Sequence, residues 1–226
     1  MFTAILVAAG SSTRVGFDKL FAPLAGKPVL AHSLAAFQSA SSVDAIIVVG
    51  RRETMESIRA LAKDFPKVRA VIPGGERRQD SVAAGLRALA EECEYVAVHD
   101  AARPLIRAEE IERVLAAAKE HRAAVLAAPV TDTLKLADAQ QFVAGSVDRE
   151  KAFAMQTPQI FRRDLLDAAY ERVSKHSLVI TDEVSAIEAL GEKIAIVPAQ
   201  DHNLKITFAS DLILAEIFLR QRAESP

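Results

Sequence analysis

Near its start the chain runs Ala4-Ile-Leu-Val-Ala-Ala-Gly10-Ser-Ser-Thr-Arg14-Val-Gly16-Phe-Asp-Lys19-Leu20. The apolar run from Ala4 to Ala9 lacks polar alternation, which is typical of a strand buried on both faces in a parallel sheet. A small polar loop begins at Gly10, and the cations Arg14 and Lys19 follow. Backbone N–H groups in such a loop can approach an anion closely, and the cations supply charge. The stretch therefore predicts a strand that ends in a phosphate-binding loop.

The loop matches neither of the two common phosphate motifs. Ser12 stands where the dinucleotide motif Gly-x-Gly-x-x-Gly needs its second glycine, and the Gly-Lys-Ser/Thr of a P-loop does not appear. Taken alone, the stretch fits a tight strand-to-helix turn with two solvated cations equally well. The rest of the chain has to decide between the two interpretations.

The composition is that of one globular α/β domain. The chain has 226 residues, of which 50% are hydrophobic, and its net charge is −2. This length supports a single large core, so we expect one domain over residues 1–226. The near-neutral charge gives no electrostatic signal for nucleic acid or for an anionic membrane surface as a partner.

The sequence also bears on location. No basic segment precedes the first apolar run, and no apolar run approaches the ~20 residues that a membrane-spanning helix needs. The single cysteine, Cys93, excludes an internal disulfide and is compatible with a reducing compartment. We therefore expect a cytoplasmic protein without a membrane partner, in which Cys93 is a buried structural thiol.

Strand-like and helix-like segments alternate along the chain. The apolar, strand-like runs are residues 3–9, 44–49, 68–72, 94–98, 123–128 and 193–197. Helical patterns lie between the first five of them, at about residues 28–40, 52–64, 79–91 and 107–121. This alternation predicts right-handed βαβ crossovers, a mostly parallel twisted sheet and helices on both of its faces. In such α/β folds, ligands bind beyond the carboxyl ends of the strands.

The alternation stops between residues 129 and 160. Two short strand-like segments, Pro129 to Ala137 and Phe142 to Arg149, are joined by a predicted turn near Asp138 to Gln140. Because an isolated hairpin is only marginally stable in water, this one needs something to pack against. A second subunit is the simplest candidate and would make residues 129–155 a protruding dimerisation arm. Packing of the hairpin on its own sheet is the alternative.

Polar motifs follow two of the central strand-like runs. The third run leads into Pro73-Gly-Gly-Glu-Arg77-Arg-Gln-Asp80-Ser81, whose glycines permit close approach of a ligand and whose Asp80 or Ser81 can cap the next helix. The fourth leads into Val98-His99-Asp100-Ala101-Ala102-Arg103. Asp100 is a candidate ligand for Mg²⁺, which prefers one or two carboxylates together with phosphate oxygens and water. An Asp–Arg ion pair that only holds this loop is the alternative.

Two further cations occupy suggestive positions. Arg149 lies at the end of the predicted hairpin, opposite Thr133, and its guanidinium suits a bidentate contact with phosphate. Lys205 follows the last strand-like run and should lie on the same edge of the sheet as the other loops. Taken alone, each is more often an ordinary solvated charge.

Together these motifs resemble those of the 2-C-methyl-D-erythritol 4-phosphate cytidylyltransferases of the non-mevalonate isoprenoid pathway. The resemblance extends from Ala8-Ala-Gly10 to the helix after Lys205. Its most specific motifs are His99-Asp-Ala-Ala-Arg-Pro104, Ala128-Pro-Val-Thr-Asp-Thr133, Val147-Asp-Arg149, Thr157-Pro-Gln159, Ile180-Thr-Asp-Glu183 and Asn203-Leu-Lys205.

The resemblance implies a three-layer, Rossmann-like nucleotidyltransferase fold. It implies transfer of CMP from CTP to 2-C-methyl-D-erythritol 4-phosphate with release of pyrophosphate, assisted by Mg²⁺ or another divalent cation. In the family, residues matching Arg14 and Lys19 stabilise the transition state, and those matching Arg149 and Lys205 position the acceptor phosphate. The family forms homodimers whose arms interlock, so Thr133 and Arg149 would serve the partner's active site.

The resemblance also assigns binding positions. The positions that match nucleotide-binding residues are Ala8, Ala9, Gly10, Gly75, Ser81, Asp100, Ala101 and Ala102. The positions that match acceptor-binding residues are Arg103, Thr133 and Thr157.

Three alternatives remain open at this point. A cytidylyltransferase for another polyol phosphate, such as ribitol 5-phosphate, would have the same nucleotide half. A regulatory nucleotide-binding protein without catalysis would not need both Arg14 and Lys19 at the α-phosphate. A purely structural α/β module would leave the polar loops unexplained.

Overall fold

The computed structural model describes residues 1–10 and 18–224. Its strands, in chain order, are β1 (Phe2–Ala8), β2 (Pro23–Leu24), β3 (Lys27–Pro28), β4 (Ala45–Gly50), β5 (Val68–Pro73), β6 (Tyr95–Asp100), β7 (Ala123–Pro129), β8 (Lys135–Ala137), β9 (Val143–Ser146), β10 (Phe153–Arg162) and β11 (Ala195–Pro198).

The helices interleave with these strands. They are α1 (Val29–Ser39), α2 (Met55–Ala62), α3 (Arg78–Arg87), α4 (Ala108–His121), α5 (Arg163–Lys175), α6 (Glu183–Glu188) and α7 (Ala209–Glu224), with single 3-10 turns at Arg52–Thr54 and Arg149–Lys151. Over the residues described, none of these helices combines the length and the apolar character that crossing a membrane requires.

Seven strands form one sheet in the order β11-β7-β10-β6-β1-β4-β5. All neighbouring strands are parallel except where β10 lies antiparallel between β6 and β7. The central strands β1, β4 and β6 contain three of the apolar runs of the sequence, and nearly all of their residues are buried. The prediction of a mostly parallel sheet is confirmed.

Helices cover both faces of this sheet, each over its own apolar core. One core includes Leu30 of α1 and Ile111 of α4, and the other includes Val82 of α3 and Leu166 of α5. Burial of this kind removes apolar surface from water on both sides, which is the main force that holds a three-layer fold together. The predicted three-layer α/β class is confirmed.

The hairpin arm is the small sheet formed by β8 and β9, separate from the central sheet. Large apolar side chains on it are exposed: 56% for Leu136, 71% for Phe142 and 72% for Val143. Of the alternatives open from the sequence, packing of the arm on its own sheet is therefore not what the chain does. The predicted arm range also extends too far, because Phe153 pairs with Pro129 inside the central sheet.

Strand β10 and helices α5 and α6 were not among the predicted elements. The sequence hides β10 because Gln156, Thr157, Pro158 and Gln159 interrupt its apolar run, and the structure has an irregularity between Met155 and Gln159. Such polar residues in a central strand are tolerated only when neighbouring elements satisfy them. Those neighbours are the site residues described next.

Candidate active site

A cleft of about 370 Å³ opens beyond the carboxyl ends of β1 and β6. The strand register places Val7 of β1 beside Asp100 of β6, so the loops that follow these strands start side by side. The predicted site residues that line the cleft are Ala8, Ala9, Gly10, Lys19, Gly75, Ser81, Asp100, Ala102 and Lys205. The structure thus brings residues from five separate segments of the sequence to one place.

The glycine loop between β5 and α3 closes one side of the cleft. A Cβ atom on Gly74 would lie 2.6 Å from the Cβ of Ala9 and 2.6 Å from Oγ of Ser81, so only glycine allows this approach. The N–H of Gly75 donates to Ser81 Oγ at 3.2 Å. Asp80 accepts the backbone N–H of Arg77 at 3.1 Å, which is the predicted capping role.

Asp100 is a buried carboxylate in the cleft lining, and two cations contact it. Its Oδ1 accepts from Nε of Arg78 at 3.0 Å, and its Oδ2 accepts from Nζ of Lys205 at 2.6 Å. Burial alone would raise the pKa of this carboxyl, but the charges of Arg78 and Lys205 outweigh it and hold the pKa well below its usual range. Asp100 is therefore ionised at neutral pH.

Behind the cleft, Glu183 holds Arg78 and is itself held by Tyr170. Nη1 of Arg78 donates to Oε1 of Glu183 at 2.8 Å, and the hydroxyl of Tyr170 donates to the same oxygen at 2.9 Å. Glu183 is fully buried. Burial acts to lower the pKa of Arg78, but the two neighbouring carboxylates raise it further, so the guanidinium stays charged. One arginine thus joins Asp100 in the cleft to Glu183 in the core.

His99 and Thr157 link β6 to β10 beneath the cleft. His99 is fully buried, and burial lowers its pKa to about 3, so the imidazole is neutral. Its Nε2 lies 3.3 Å from the carbonyl oxygen of Arg103, which can only accept, so Nε2 carries the proton. Thr157 Oγ1 then donates to Nδ1 at 3.1 Å while it accepts the N–H of Asp100 at 3.0 Å. The Thr157 hydroxyl thus fixes the end of β6.

The segment after β11 brings Lys205 to the cleft. Arg103 Nη1 donates to the carbonyl oxygen of Asn203 at 2.7 Å, and the amide of Asn203 donates to the carbonyl oxygen of Thr157 at 2.8 Å. The N–H of Ile206 donates to the carbonyl oxygen of Ala102 at 2.8 Å. These bonds confirm that Lys205 lies at the same edge of the sheet as the other loops.

A smaller hollow of about 210 Å³ adjoins the cleft. Asp100, Arg78 and Lys205 line both the cleft and the hollow, whereas Arg103 and Thr157 line the hollow but not the cleft. Ala101 is buried behind the cleft wall, where its N–H donates to the carbonyl oxygen of Val7 at 3.1 Å.

Three predicted residues remain to be placed: Arg14, Thr133 and Arg149. Arg14 lies outside the described residues. Thr133 and Arg149 are exposed on the arm, where Nη1 of Arg149 donates to the carbonyl oxygen of Thr131 at 3.0 Å. Within the part of one chain that the structure describes, the arm therefore presents these two residues to solvent and not to the cleft lining.

Comparison with known proteins gives a consistent result over almost the whole chain. The family model described as 2-C-methyl-D-erythritol 4-phosphate cytidylyltransferase (IspD) matches residues 2–221. A relative of that name from Dehalococcoides mccartyi strain CBDB1 is 42% identical over 221 residues, covering 96% of each sequence. This chain belongs to the 2-C-methyl-D-erythritol 4-phosphate cytidylyltransferase family.

Solved structures of similar proteins agree with that assignment. The 4-diphosphocytidyl-2C-methyl-D-erythritol synthase of Anaerococcus prevotii superposes with a TM-score of 0.88 at 29% identity, covering 97% of this chain and 96% of that one. The 2-C-methyl-D-erythritol 4-phosphate cytidylyltransferase of Thermus thermophilus gives a TM-score of 0.81 at 33% identity, covering 97% and 100%. The predicted family, nucleotidyltransferase class and reaction are confirmed, and nothing favours the ribitol 5-phosphate alternative.

For a cytidylyltransferase of this family, the sequence interpretation missed one central residue. Arg78 follows Arg77 in the motif after the third strand-like run, and the sequence assigns it no role, yet the two neighbours have different surroundings. Arg77 is exposed and pairs with Asp80, whereas Arg78 turns inward to Asp100 and Glu183. The motif Ile180-Thr-Asp-Glu183 was the one signal of this role in the sequence. A glutamate buried in the core needs a cation as its partner, and here that cation is Arg78.

Proposed function

We propose that the cleft beyond β1 and β6 is the site where this cytidylyltransferase transfers CMP from CTP to 2-C-methyl-D-erythritol 4-phosphate. The observation that carries the proposal is the convergence of Lys19, Lys205 and the ionised Asp100 on one cleft edged by glycine loops. That arrangement suits a triphosphate held by backbone N–H groups and a second phosphate held by a lysine.

The reaction requires no general base. An oxygen of the acceptor phosphate, already an anion, attacks the α-phosphorus of CTP and forms the new P–O bond. The bond from the α-phosphorus to the oxygen that bridges to the β-phosphate breaks, and its electron pair leaves with pyrophosphate. The obstacle is to bring two anions together and to stabilise the charge that develops at the α-phosphate.

Positive side chains meet both requirements in our proposal. Lys19 and Arg14 stabilise charge at the α-phosphate, and Lys205 with Arg149 of the partner subunit positions the acceptor phosphate. Lys19 supports the first role by its place in the cleft lining. The position of Lys205 supports the second role, because Lys205 lines both the cleft and the adjoining hollow. The hollow would hold the polyol.

Backbone and small residues would hold the nucleotide. The positions proposed for CTP are Ala8, Ala9, Gly10, Gly75, Ser81, Asp100, Ala101 and Ala102. The absence of long side chains at most of them lets the ligand approach the main chain. Arg103 and Thr157 line the hollow and would contact the acceptor, Thr157 with a hydroxyl that already has two protein partners.

The donor set fits a divalent cation that is held mainly by substrate. Asp100 supplies one ionised carboxylate in the cleft. Within residues 1–10 and 18–224, no group of three or more His, Cys, Asp or Glu side chains is arranged to hold a metal. One carboxylate with triphosphate oxygens and water satisfies Mg²⁺. The ion would neutralise phosphate charge when bound, and Asp100 would hold it there.

We also propose a homodimer that completes each site with the partner's arm. The exposed apolar side chains of the arm, Leu136, Phe142 and Val143, support a contact with a second copy. The exposure of Thr133 and Arg149 supports a role outside their own subunit. A cytoplasmic location is part of the proposal, and a single, buried cysteine is compatible with a reducing compartment.

The test is release of pyrophosphate from CTP by the purified chain. We expect release with 2-C-methyl-D-erythritol 4-phosphate and Mg²⁺, and little with ribitol 5-phosphate. ATP, GTP and UTP in place of CTP are the nucleotide controls. Faster release with ribitol 5-phosphate would contradict the acceptor, and equal release with all four nucleotides would contradict the specificity for CTP.

A further inference from the structure

Asp100 has two cationic partners that differ in how firmly the protein holds them. The side chain of Lys205 is 40% exposed, and the contact that it makes with Asp100 is at the cleft surface. The side chain of Arg78 is 24% exposed and has a second carboxylate partner in the core. One partner is therefore able to move into the cleft, and the other is fixed.

Arg78, the fixed partner, is held by a residue on the core side of the cleft. Arg78 is the first residue of α3, and its Nη1 donates to the fully buried Glu183. Tyr170 of α5 donates to the same glutamate oxygen, which keeps Glu183 in place. A guanidinium suits this position because its planar fork can reach two carboxylates with different nitrogens.

Four of the charged side chains at the cleft are linked by ion pairs, and Arg103 adds a further positive charge near Asp100. Asp100 and Glu183 supply two negative charges, and Arg78 and Lys205 supply two positive ones. A phosphate that entered the hollow would attract Lys205 away from Asp100. Asp100 would then keep Arg78, so the buried carboxylate would not be left without a cation, which is costly.

We propose that Arg78 is a positioning residue that keeps Asp100 fixed in the cleft while Lys205 exchanges Asp100 for the phosphate of the acceptor. The inference rests on the proposed function, in which Lys205 binds that phosphate. It adds a role for the ion pair of Arg78 with the buried Glu183, which makes the ammonium of Lys205 available to substrate.

The exchange predicts a selective defect when Arg78 is removed. Among the described residues, Asp100 would then have Lys205 as its one remaining ion-pair partner, and the incoming phosphate would have to compete with Asp100 for the ammonium. Acceptor binding should weaken, whereas nucleotide binding by the backbone loops should change little.

The main variant is Arg78→Gln/Glu183→Gln, which removes both members of the buried pair and leaves no orphan charge. Binding is measured by calorimetry with 2-C-methyl-D-erythritol 4-phosphate, in the presence of Mg²⁺ and a CTP analogue whose α,β-bridging oxygen is replaced by methylene. We expect acceptor binding to weaken about tenfold or more, and binding of the analogue to change less than about threefold. Arg87→Gln, which removes an exposed arginine from the same helix, is the matched control and should change neither.

A second change separates this role from a merely structural one. Adding Asp100→Asn to the double variant removes the group that competes for Lys205. Because Asp100 is also proposed to hold nucleotide and Mg²⁺, both variants are compared here without either, and acceptor binding should then recover. A structural defect would not be repaired in this way. If circular dichroism shows that the double variant does not fold, Arg78→Lys replaces it. We then expect a smaller but still selective loss of acceptor binding, because one ammonium cannot bridge both carboxylates.

The outcomes are distinct. Equal losses for acceptor and nucleotide, unchanged acceptor binding, or no recovery on adding Asp100→Asn would each overturn the exchange. If the wild-type chain binds ribitol 5-phosphate instead, the proposed acceptor is wrong, and the same comparison with that phosphate still tests Arg78. A wild-type chain that binds neither phosphate would overturn both proposals, because Lys205 would have no phosphate to exchange for.

Discussion

Lys19 donates a hydrogen bond from Nζ to the carbonyl oxygen of Ile206 at 2.9 Å. The two residues are 187 positions apart in the sequence, so this bond joins the loop after β1 to the segment that carries Lys205. Asp18, which precedes Lys19 in the sequence, forms an ion pair with Arg51, and this pair offsets the negative charge beside Lys19. The ammonium of Lys19 therefore lies between the predicted nucleotide loops and the predicted acceptor segment.

That position leads to a prediction for Lys19→Ala. If Lys19 stabilises charge that develops at the α-phosphate, its loss should lower kcat at saturating CTP by about 10²-fold or more and leave the KM for CTP less affected. Steady-state kinetics of pyrophosphate release over a range of CTP concentrations measures both constants.

A matched control exists for the lost lysine–carbonyl bond. Nζ of Lys67 donates to the carbonyl oxygen of Ala40 at 2.7 Å, away from the cleft, so Lys67→Ala removes a similar bond and should keep kcat. A Lys19→Ala enzyme with unchanged kcat and a raised KM for CTP would show that Lys19 binds nucleotide but does not act on the transition state.

The sequence was sufficient for the parallel core of the fold and not for the element that splits it. The strands that begin the βαβ units, such as β1 and β4, are almost entirely apolar because both of their faces are buried. Strand β10 is equally central, but it carries Gln159, which donates to Asp182 at 3.0 Å and accepts the N–H of Glu183 at 3.1 Å. Partners so far along the chain cannot be seen in a local pattern.

The same limit explains what the sequence could say about the site. Loops that follow parallel strands must meet at one edge of the sheet, so the grouping of Asp100 with Gly75 was predictable. Which member of an Arg77–Arg78 pair turns inward was not, since the deciding partner, Glu183, is 105 residues away from Arg78. A resemblance to a family supplies roles for matched positions, but the support behind them appears only in three dimensions.

Substitution of Arg149 tests whether the arm of one subunit acts in the active site of its partner. Arg149→Ala should raise the KM for the acceptor more than the KM for CTP, because the proposed contact is with the acceptor phosphate. If the arm acts on the partner subunit, an Arg149→Ala subunit paired with a Lys19→Ala subunit contains one complete site.

The measurement is activity of heterodimers that carry two different affinity tags and are purified on both. Activity well above that of either mutant homodimer is the expected result. Heterodimers as inactive as both homodimers would mean that Arg149 serves its own subunit, and a monomer by light scattering would contradict the dimer itself.

Removal of divalent cations tests the role of Mg²⁺. With excess chelator, pyrophosphate release should fall to background and return when Mg²⁺ is added beyond the chelator, since the ion is expected to neutralise the triphosphate. A thermal melt of the chelated chain is the control and should match the untreated chain, because the donors proposed for the ion are mostly on substrate. Full activity in chelator would remove the metal from the mechanism.

His99 predicts how stability depends on pH. Burial lowers its pKa to about 3 from the usual 6.5, with Asp100 raising it and Arg103 lowering it further, so the folded chain keeps the imidazole neutral where the unfolded chain takes up a proton. Its contribution to the free energy of unfolding is complete above the unfolded pKa and is lost as pH falls from 6.5 towards 3, with a slope of about 1.4 kcal/mol per pH unit. His99→Gln keeps a donor for Arg103 and an acceptor for Thr157 but does not titrate. Urea unfolding between about pH 5 and 6 should therefore show a slope shallower by about that amount in the variant, and equal slopes would mean that His99 is not held neutral.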